Sequence, residues 1–145
     1  MKIARHTARV TSLFESTPQY FRPYLTDDMP EFSITVTREN IDFEQADLLE
    51  EALRDGFKPR VFTDPFLERA AIQRAFAEFL FDFGILLFHG SAIAVDGEGY
   101  LFTAHSGTGK STHTRLWKQV FGERAVMVND DKPFLELKDG SILLH

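Results

Sequence analysis

The stretch Tyr100-Leu101-Phe102-Thr103-Ala104-His105-Ser106-Gly107-Thr108-Gly109-Lys110-Ser111 decides how this chain is read. It opens on a strand-like run, Tyr100 to Thr103, and leads into a helix expected from about Ser111 to Phe121, stopped by Gly122. From Ala104 to Ser111 it fits the phosphate-binding loop pattern, with Ala104 in place of the first glycine. Each part has a physical task. Gly107 and Gly109 let the backbone wrap tightly enough for successive N–H groups to point at phosphate oxygens. The helix N-terminus adds unpaired donors and a positive dipole end. Lys110 supplies a point charge to the β- and γ-phosphates, and the Ser111 hydroxyl is a ligand for Mg2+. The expected nucleotide contacts are Ser106, Gly107, Thr108, Gly109, Lys110, Ser111 and Thr112. Ala104 would strain the loop if its backbone needed a positive φ.

Working outward, Val126-Met127-Val128-Asn129-Asp130-Asp131 places two carboxylates at the end of an apolar strand downstream of the loop. A carboxylate at the C-terminal edge of a strand beside a phosphate loop can hold Mg2+ directly or through water. Adjacent side chains on a strand point to opposite faces, so the two acids should differ in role. Asn-Asp-Asp is also ordinary turn composition, and a plain strand-to-turn boundary is the competing reading. His89-Gly90-Ser91 is a third candidate, since histidine can position a phosphate or tune a carboxylate near neutral pH. A lone His between strands is more often a hydrogen-bonded structural residue. His105 and His113 flank the loop without the spacing of a metal site. No Gly-x-Ser-x-Gly elbow exists, so nucleophile chemistry of that kind is unsupported.

The rest of the chain sets the frame. Ile3 to Thr11 and Phe32 to Thr37 are β-prone, and Pro18, Pro23 and Pro30 between them read as loop. Asn40 or Asp42 is the expected cap of a helix running to about Asp55, ended by Gly56. Asp64-Pro65 reads as a helix start, with Asp64 accepting from orphan N–H groups. Ile72, Phe76, Phe79, Leu80 and Phe83 then follow helical spacing up to Gly84. The tail of that helix is apolar nearly all round, which places it between layers. Ile85 to Phe88 and Ser91 to Val95 are strand-like, and Asp96-Gly97-Glu98-Gly99 signals a hairpin before Tyr100. Leu116/Val120 and Trp117/Phe121 are the apolar i,i+4 pairs of the helix after the loop. Ala125 to Val128 reads as a buried strand, and Phe134 to Leu137 and Ile142 to Leu144 flank a turn at Asp139-Gly140. The fold class is α/β: an α+β N-terminal region, residues 1–63, and a mixed-sheet nucleotide-binding core, residues 64–145.

Composition closes off other classes. The chain has 145 residues, 43% hydrophobic and 26% charged, with a formal net charge of −6. That is ordinary globular composition, and no basic face points to nucleic acid. There is no cysteine, so disulfide frameworks and thiolate metal sites are excluded. The N-terminus lacks the apolar stretch of a signal peptide, and Ala75 to Phe88 is too short and too charged for a bilayer span. A cytoplasmic protein without a membrane partner is expected. Phenylalanine occurs 15 times, either as an aromatic core or as cover for a second domain or subunit; exposed Phe would favour a homo-oligomer.

His89-Gly90, Ser106-Gly107-Thr108-Gly109-Lys110-Ser111 and Asp130-Asp131, in that order, resemble the HPr kinase/phosphorylase and phosphoenolpyruvate carboxykinase-like group. Leu87-Phe88-His89-Gly90-Ser91-Ala92 leading to Tyr100-Leu101-Phe102-Thr103 is similar to kinase-like members of it. The resemblance to the catalytic core spans roughly residues 85–137, and more faintly 30–84. It implies a mixed sheet bearing a phosphate loop, with ATP and Mg2+ as cofactors. It also implies Lys110 at the transferred phosphate, Ser111 and Asp130 at the metal, Asp131 as the base and His89 near the reacting phosphate. Family enzymes continue well past this point, so a core incomplete at its C-terminus, or completed by another chain, is expected. No arginines for a carboxykinase substrate can be located. The resulting expectation is a phosphotransferase acting on a serine hydroxyl of a protein or peptide. A nucleotide-binding module without catalysis and a small-molecule kinase remain as alternatives.

Overall fold

The computed structural model describes every residue except Asp139, so the expected turn at Asp139-Gly140 lies partly outside the described residues. The chain is mixed α/β and forms two compact units, Met1–Phe79 and Leu80–His145. The helix expected to open the second region lies for most of its length in the first unit.

The first unit is built on three strands, β1 (Lys2–Ile3), β2 (His6–Thr11) and β3 (Phe32–Thr35), in the order β1-β2-β3. The single strand expected over Ile3 to Thr11 is instead a hairpin. Ala4 and Arg5 both take positive φ, +46° and +70°, in a two-residue turn closed by Ile3 opposite His6. β2 and β3 are parallel, and parallel neighbours need a long crossover. Helix α1 (Ser16–Tyr20) and a 3-10 turn (Arg22–Tyr24) supply it. Pro18 and Pro23 are therefore in helical turns, where a missing N–H costs little, and not in loop as expected.

Helix α2 (Arg38–Arg54) is capped by Thr37, with Asn40 at the third helical position in a reciprocal capping box. The expected caps, Asn40 and Asp42, are thus inside the helix. Gly56 takes φ +75° just after its end. Helix α3 (Asp64–Phe81) begins where Asp64-Pro65 predicts, but the Asp64 carboxylate is taken by Arg38. Ile72, Phe76 and Leu80 are fully buried, whereas Phe81 and Phe83 are at least half exposed, so the apolar tail is not enclosed on every side. Phe32 packs edge-on against Phe76 and stacked on Phe79. Buried Glu68 accepts from the Leu13 and Phe14 amides and from the Thr17 hydroxyl, tying the crossover to α3. Arg74 lies between Glu44 and Asp47, and the Glu44 hydrogen bond, despite burial, pushes its guanidinium above the ordinary arginine value.

The second unit carries two antiparallel sheets. One has β4 (Ile85–Leu87), β8 (Phe134–Lys138) and β9 (Ser141–Leu144) in the order β4-β8-β9. The other has β6 (Glu98–Phe102), β5 (Ser91–Val95) and β7 (Ala125–Asn129) in the order β6-β5-β7. Asp96 (φ +52°) and Gly97 (φ +87°) make the β5–β6 turn, as the Asp-Gly signal predicts. Helix α4 (Lys110–Phe121) joins β6 to β7. Ser91, Ile93 and Val95 share one face of β5 by the period of two. Ile93 and Val95 form a core with Ala125, against which Phe102, Trp117 and Phe121 pack. Of the two expected i,i+4 pairs, only Trp117/Phe121 is turned inward; Leu116 and Val120 are exposed. β7 is half open as well, since Val126 is exposed and only Ala125 is buried. The described helices include none long and apolar enough to cross a membrane.

Candidate functional site

The order β6-β5-β7 brings the three sequence motifs to one end of one sheet. Both outer strands run antiparallel to β5, so they are parallel to each other with β5 between them. Phe102, at the C-terminal end of β6, lies opposite Ser91, and Asn129, at the C-terminal end of β7, lies opposite Ala92. The glycine loop leaves β6 there, the acid pair leaves β7 there, and His89-Gly90 enters β5 there. Residues far apart in sequence converge because a crossover helix returns the chain to the other side of the central strand.

The loop has the backbone its glycines imply. Gly107 and Gly109 have φ of +81° and +98°. A Cβ built on either meets nothing within 4 Å, so the need for glycine is conformational and not spatial. Ala104 is not among the residues with positive φ, so alanine there carries no left-handed strain. The first bond of α4 runs from the His113 amide to the Gly109 carbonyl, 2.9 Å. The Lys110, Ser111 and Thr112 amides ahead of it have no acceptor within the helix. The Lys110 ammonium folds over the loop and donates to the Ala104 (2.9 Å) and His105 (3.4 Å) carbonyls. An anion above the loop would compete with those two carbonyls for it.

The acids part company, though not by the alternation expected of a strand. β7 ends at Asn129, and its side-chain oxygen accepts from the Asp131 and Lys132 amides at 3.0 and 2.9 Å. This Asx turn sends the two carboxylates in different directions. Asp130 Oδ1 accepts a 2.6 Å hydrogen bond from Ser91 Oγ. Asp131 points outward, its side chain 76% exposed, with its Oδ1 4.0 Å from His89 Nε2. Its backbone is pinned as well: the Gly90 amide donates to the Asp131 carbonyl, 2.9 Å. Gly90 sits in a close approach: a Cβ there would lie 2.9 Å from Leu101 Cδ1 and 3.0 Å from the Phe102 carbonyl, so a side chain would displace Leu101 and press on β6.

Thr114 escaped the sequence reading, and Ser91, named there only as part of His89-Gly90-Ser91, was given no role; both are fully buried. Their hydroxyls are 2.9 Å apart. Ionised carboxylates only accept, so the one Ser91 proton goes to Asp130 and Thr114 must donate to Ser91. Thr114 Oγ1 also lies 3.3 and 3.4 Å from the Ser111 and Lys110 carbonyls, which are longer contacts. The chain Thr114–Ser91–Asp130 therefore links the first turns of the loop helix, through two buried hydroxyls, to the exposed acid pair. The signal was available: Ser91-x-Ile93-x-Val95 on the strand and Thr114-x-x-Trp117-x-x-x-Phe121 on the helix each put the hydroxyl residue on the core-facing stripe.

An open depression of about 620 Å³ adjoins the loop on the β6 side. Leu101 and Phe102 form one wall, Thr112, His113 and Leu116 another, and Lys110 closes the loop end. The Trp117 indole N–H donates to His113 Nε2 at 3.1 Å. No group of three or more His, Asp or Glu side chains that could hold a metal ion occurs among the described residues. No protein-family model, curated protein or solved structure matches the chain.

Proposed function

We propose that the second unit is the nucleotide-binding core of an ATP- and Mg2+-dependent phosphotransferase of the HPr kinase/phosphoenolpyruvate carboxykinase type, acting on a serine hydroxyl of a protein or peptide. The observation that carries this reading is the meeting of the Gly107–Ser111 loop, Asp130, Asp131 and His89 at one end of the β6-β5-β7 sheet. A phosphoryl donor and an acceptor must meet in line, and most catalysis of such transfer is positioning and charge stabilisation.

The roles follow from the chemistry of each group. The Lys110, Ser111 and Thr112 amides bind phosphate oxygens at the positive end of α4. Lys110 exchanges its loop carbonyls for phosphate. The Ser111 hydroxyl and the Asp130 oxygen not engaged by Ser91 are hard oxygen donors of the kind Mg2+ selects, and phosphate oxygens and water complete such sites. When bound there, Mg2+ neutralises charge on the phosphates. Asp131, exposed and away from that pair, takes the proton of the acceptor hydroxyl as its oxygen bonds the γ-phosphorus and the bond to the ADP oxygen breaks. His89, its Nε2 4.0 Å from Asp131 Oδ1, takes its place near the reacting phosphate.

Calorimetric titration of Mg·ATP, followed by transfer of labelled phosphate to HPr-like proteins and serine peptides, tests the reading. Wild type should bind and transfer. Lys110→Ala should lose binding, while Asp131→Asn should bind within about threefold of wild type and lose the chemical step. Binding without transfer to any acceptor would discard the kinase and leave a nucleotide-binding module. The wide exposure of Asp131 is the observation that favours that second reading.

A further inference from the structure

We infer that the depression bounded by Leu101, Phe102, His113 and Leu116 seats the nucleobase of the bound nucleotide, with the base against the His113 imidazole. This rests on the phosphate-loop reading and adds the polarity of the nucleotide across the sheet. The acid pair leaves β7, at one edge of β6-β5-β7, and the depression lies at the other, beside β6. Asp130 and Asp131 are not part of its lining. If the reacting phosphate faces the acids, the nucleoside end must leave the loop on the β6 side, where the depression begins at Lys110 and Thr112.

Away from the loop the lining suits a flat, uncharged ring. Leu101, Phe102, His113 and Leu116 border the open depression together with three threonines and the Lys110 end of the loop, and no carboxylate is present. Its one cation, Lys110, stands at the loop end. The volume, about 620 Å³, falls within the ~300–1,000 Å³ of ordinary small-ligand sites. His113 is held for the task. Its ring meets the edge of Phe102 at 4.6 Å between centroids. Indole can only donate, so the Trp117 contact at Nε2 requires the lone pair there and puts the His113 proton on Nδ1. The imidazole is thereby held in one orientation by Phe102 and Trp117, suited to stacking.

Trp117 is the chain's one tryptophan, so its fluorescence reports on His113 directly. The experiment titrates Mg·ATP and Mg·tripolyphosphate separately into wild type, His113→Ala and Leu116→Ala, reading both calorimetric Kd and Trp117 emission. In wild type, ATP should bind at least about tenfold tighter than tripolyphosphate, the scale of one base–aromatic contact, and should alone shift the emission. His113→Ala and Leu116→Ala should erase most of that advantage while leaving tripolyphosphate affinity unchanged. Equal affinity of the two ligands in wild type, or equal weakening of both by His113→Ala, would overturn the base site while leaving the phosphate loop standing. Failure of both ligands to bind wild type would overturn the loop reading, and this inference with it.

Discussion

Ser91 Oγ donates to Asp130 Oδ1 at 2.6 Å while its own oxygen accepts from Thr114, so a strand start, a helix turn and the end of a second strand share one chain of hydrogen bonds that runs from two buried hydroxyls to an exposed carboxylate. This fixes the direction of Asp130 relative to the loop whose Lys110 and Ser111 precede Thr114 in α4. We predict that Ser91→Ala frees the Asp130 carboxylate and leaves the Thr114 hydroxyl only its longer contacts with the Ser111 and Lys110 carbonyls. Urea unfolding should register a loss of about 1–2 kcal/mol, and phosphoryl transfer should fall roughly tenfold with ATP affinity changed much less. Equal losses in binding and turnover would show that the chain is structural only.

Gly109 at φ +98° is the sharpest backbone requirement of the loop. Gly109→Ala should cost about 1–2 kcal/mol through the left-handed conformation alone, since its Cβ meets nothing. We expect a larger effect on ligand: more than about tenfold weaker Mg·ATP binding, as amides held in one geometry are displaced. Calorimetry beside a denaturant series separates the two.

Glu68 satisfies two amides and one hydroxyl from the β2–β3 crossover. Glu68→Ala leaves the buried Thr17 hydroxyl and the part-buried Leu13 and Phe14 amides without their acceptor and should lower stability by roughly 2–3 kcal/mol. The urea midpoint should fall. Glu68→Gln should recover part of the loss because its carbonyl oxygen still accepts.

Asp96 pairs with Arg124, and that hydrogen bond holds its carboxyl below the ordinary value of 3.8. A depressed folded pKa means stability fully present above 3.8 and lost as pH falls below it through the folded value. Asp96→Asn keeps a residue that tolerates the left-handed turn (φ +52°) and removes the charge together with one of the two oxygens that accept from Arg124. Wild type should exceed the variant in urea midpoint at pH 7, and the gap should narrow towards pH 3. A constant gap would assign the effect to the turn.

The local chemistry of the site was legible in the chain. Gly107-Thr108-Gly109-Lys110-Ser111 spells its own backbone, because glycine tolerates left-handed φ and an unpaired helix start follows. Asp96-Gly97 and the α3 start at Asp64-Pro65 were equally local. Errors came where two neighbours competed for one task. Thr37 caps α2 because its hydroxyl reaches the Asn40 amide, so Asn40 serves from within the helix. Ala4-Arg5 turns without any glycine, since pairing of Lys2–Ile3 with His6–Thr7 outweighs the local cost.

Sequence alone therefore determined which groups this end of the sheet can offer: the loop glycines, Lys110, Ser111 and two acids, each fixed by covalent structure and nearest neighbours. Only the tertiary structure decided what those groups face. Asp130 and Asp131 are adjacent in the chain, yet one meets buried Ser91 and the other stands exposed near His89. That division comes from the Asn129 turn and from β5 lying between β6 and β7, and strand order is set by burying Ile93, Val95 and Ala125 against α4. Burial is a property of surfaces brought together from across the chain, and no local stretch carries it.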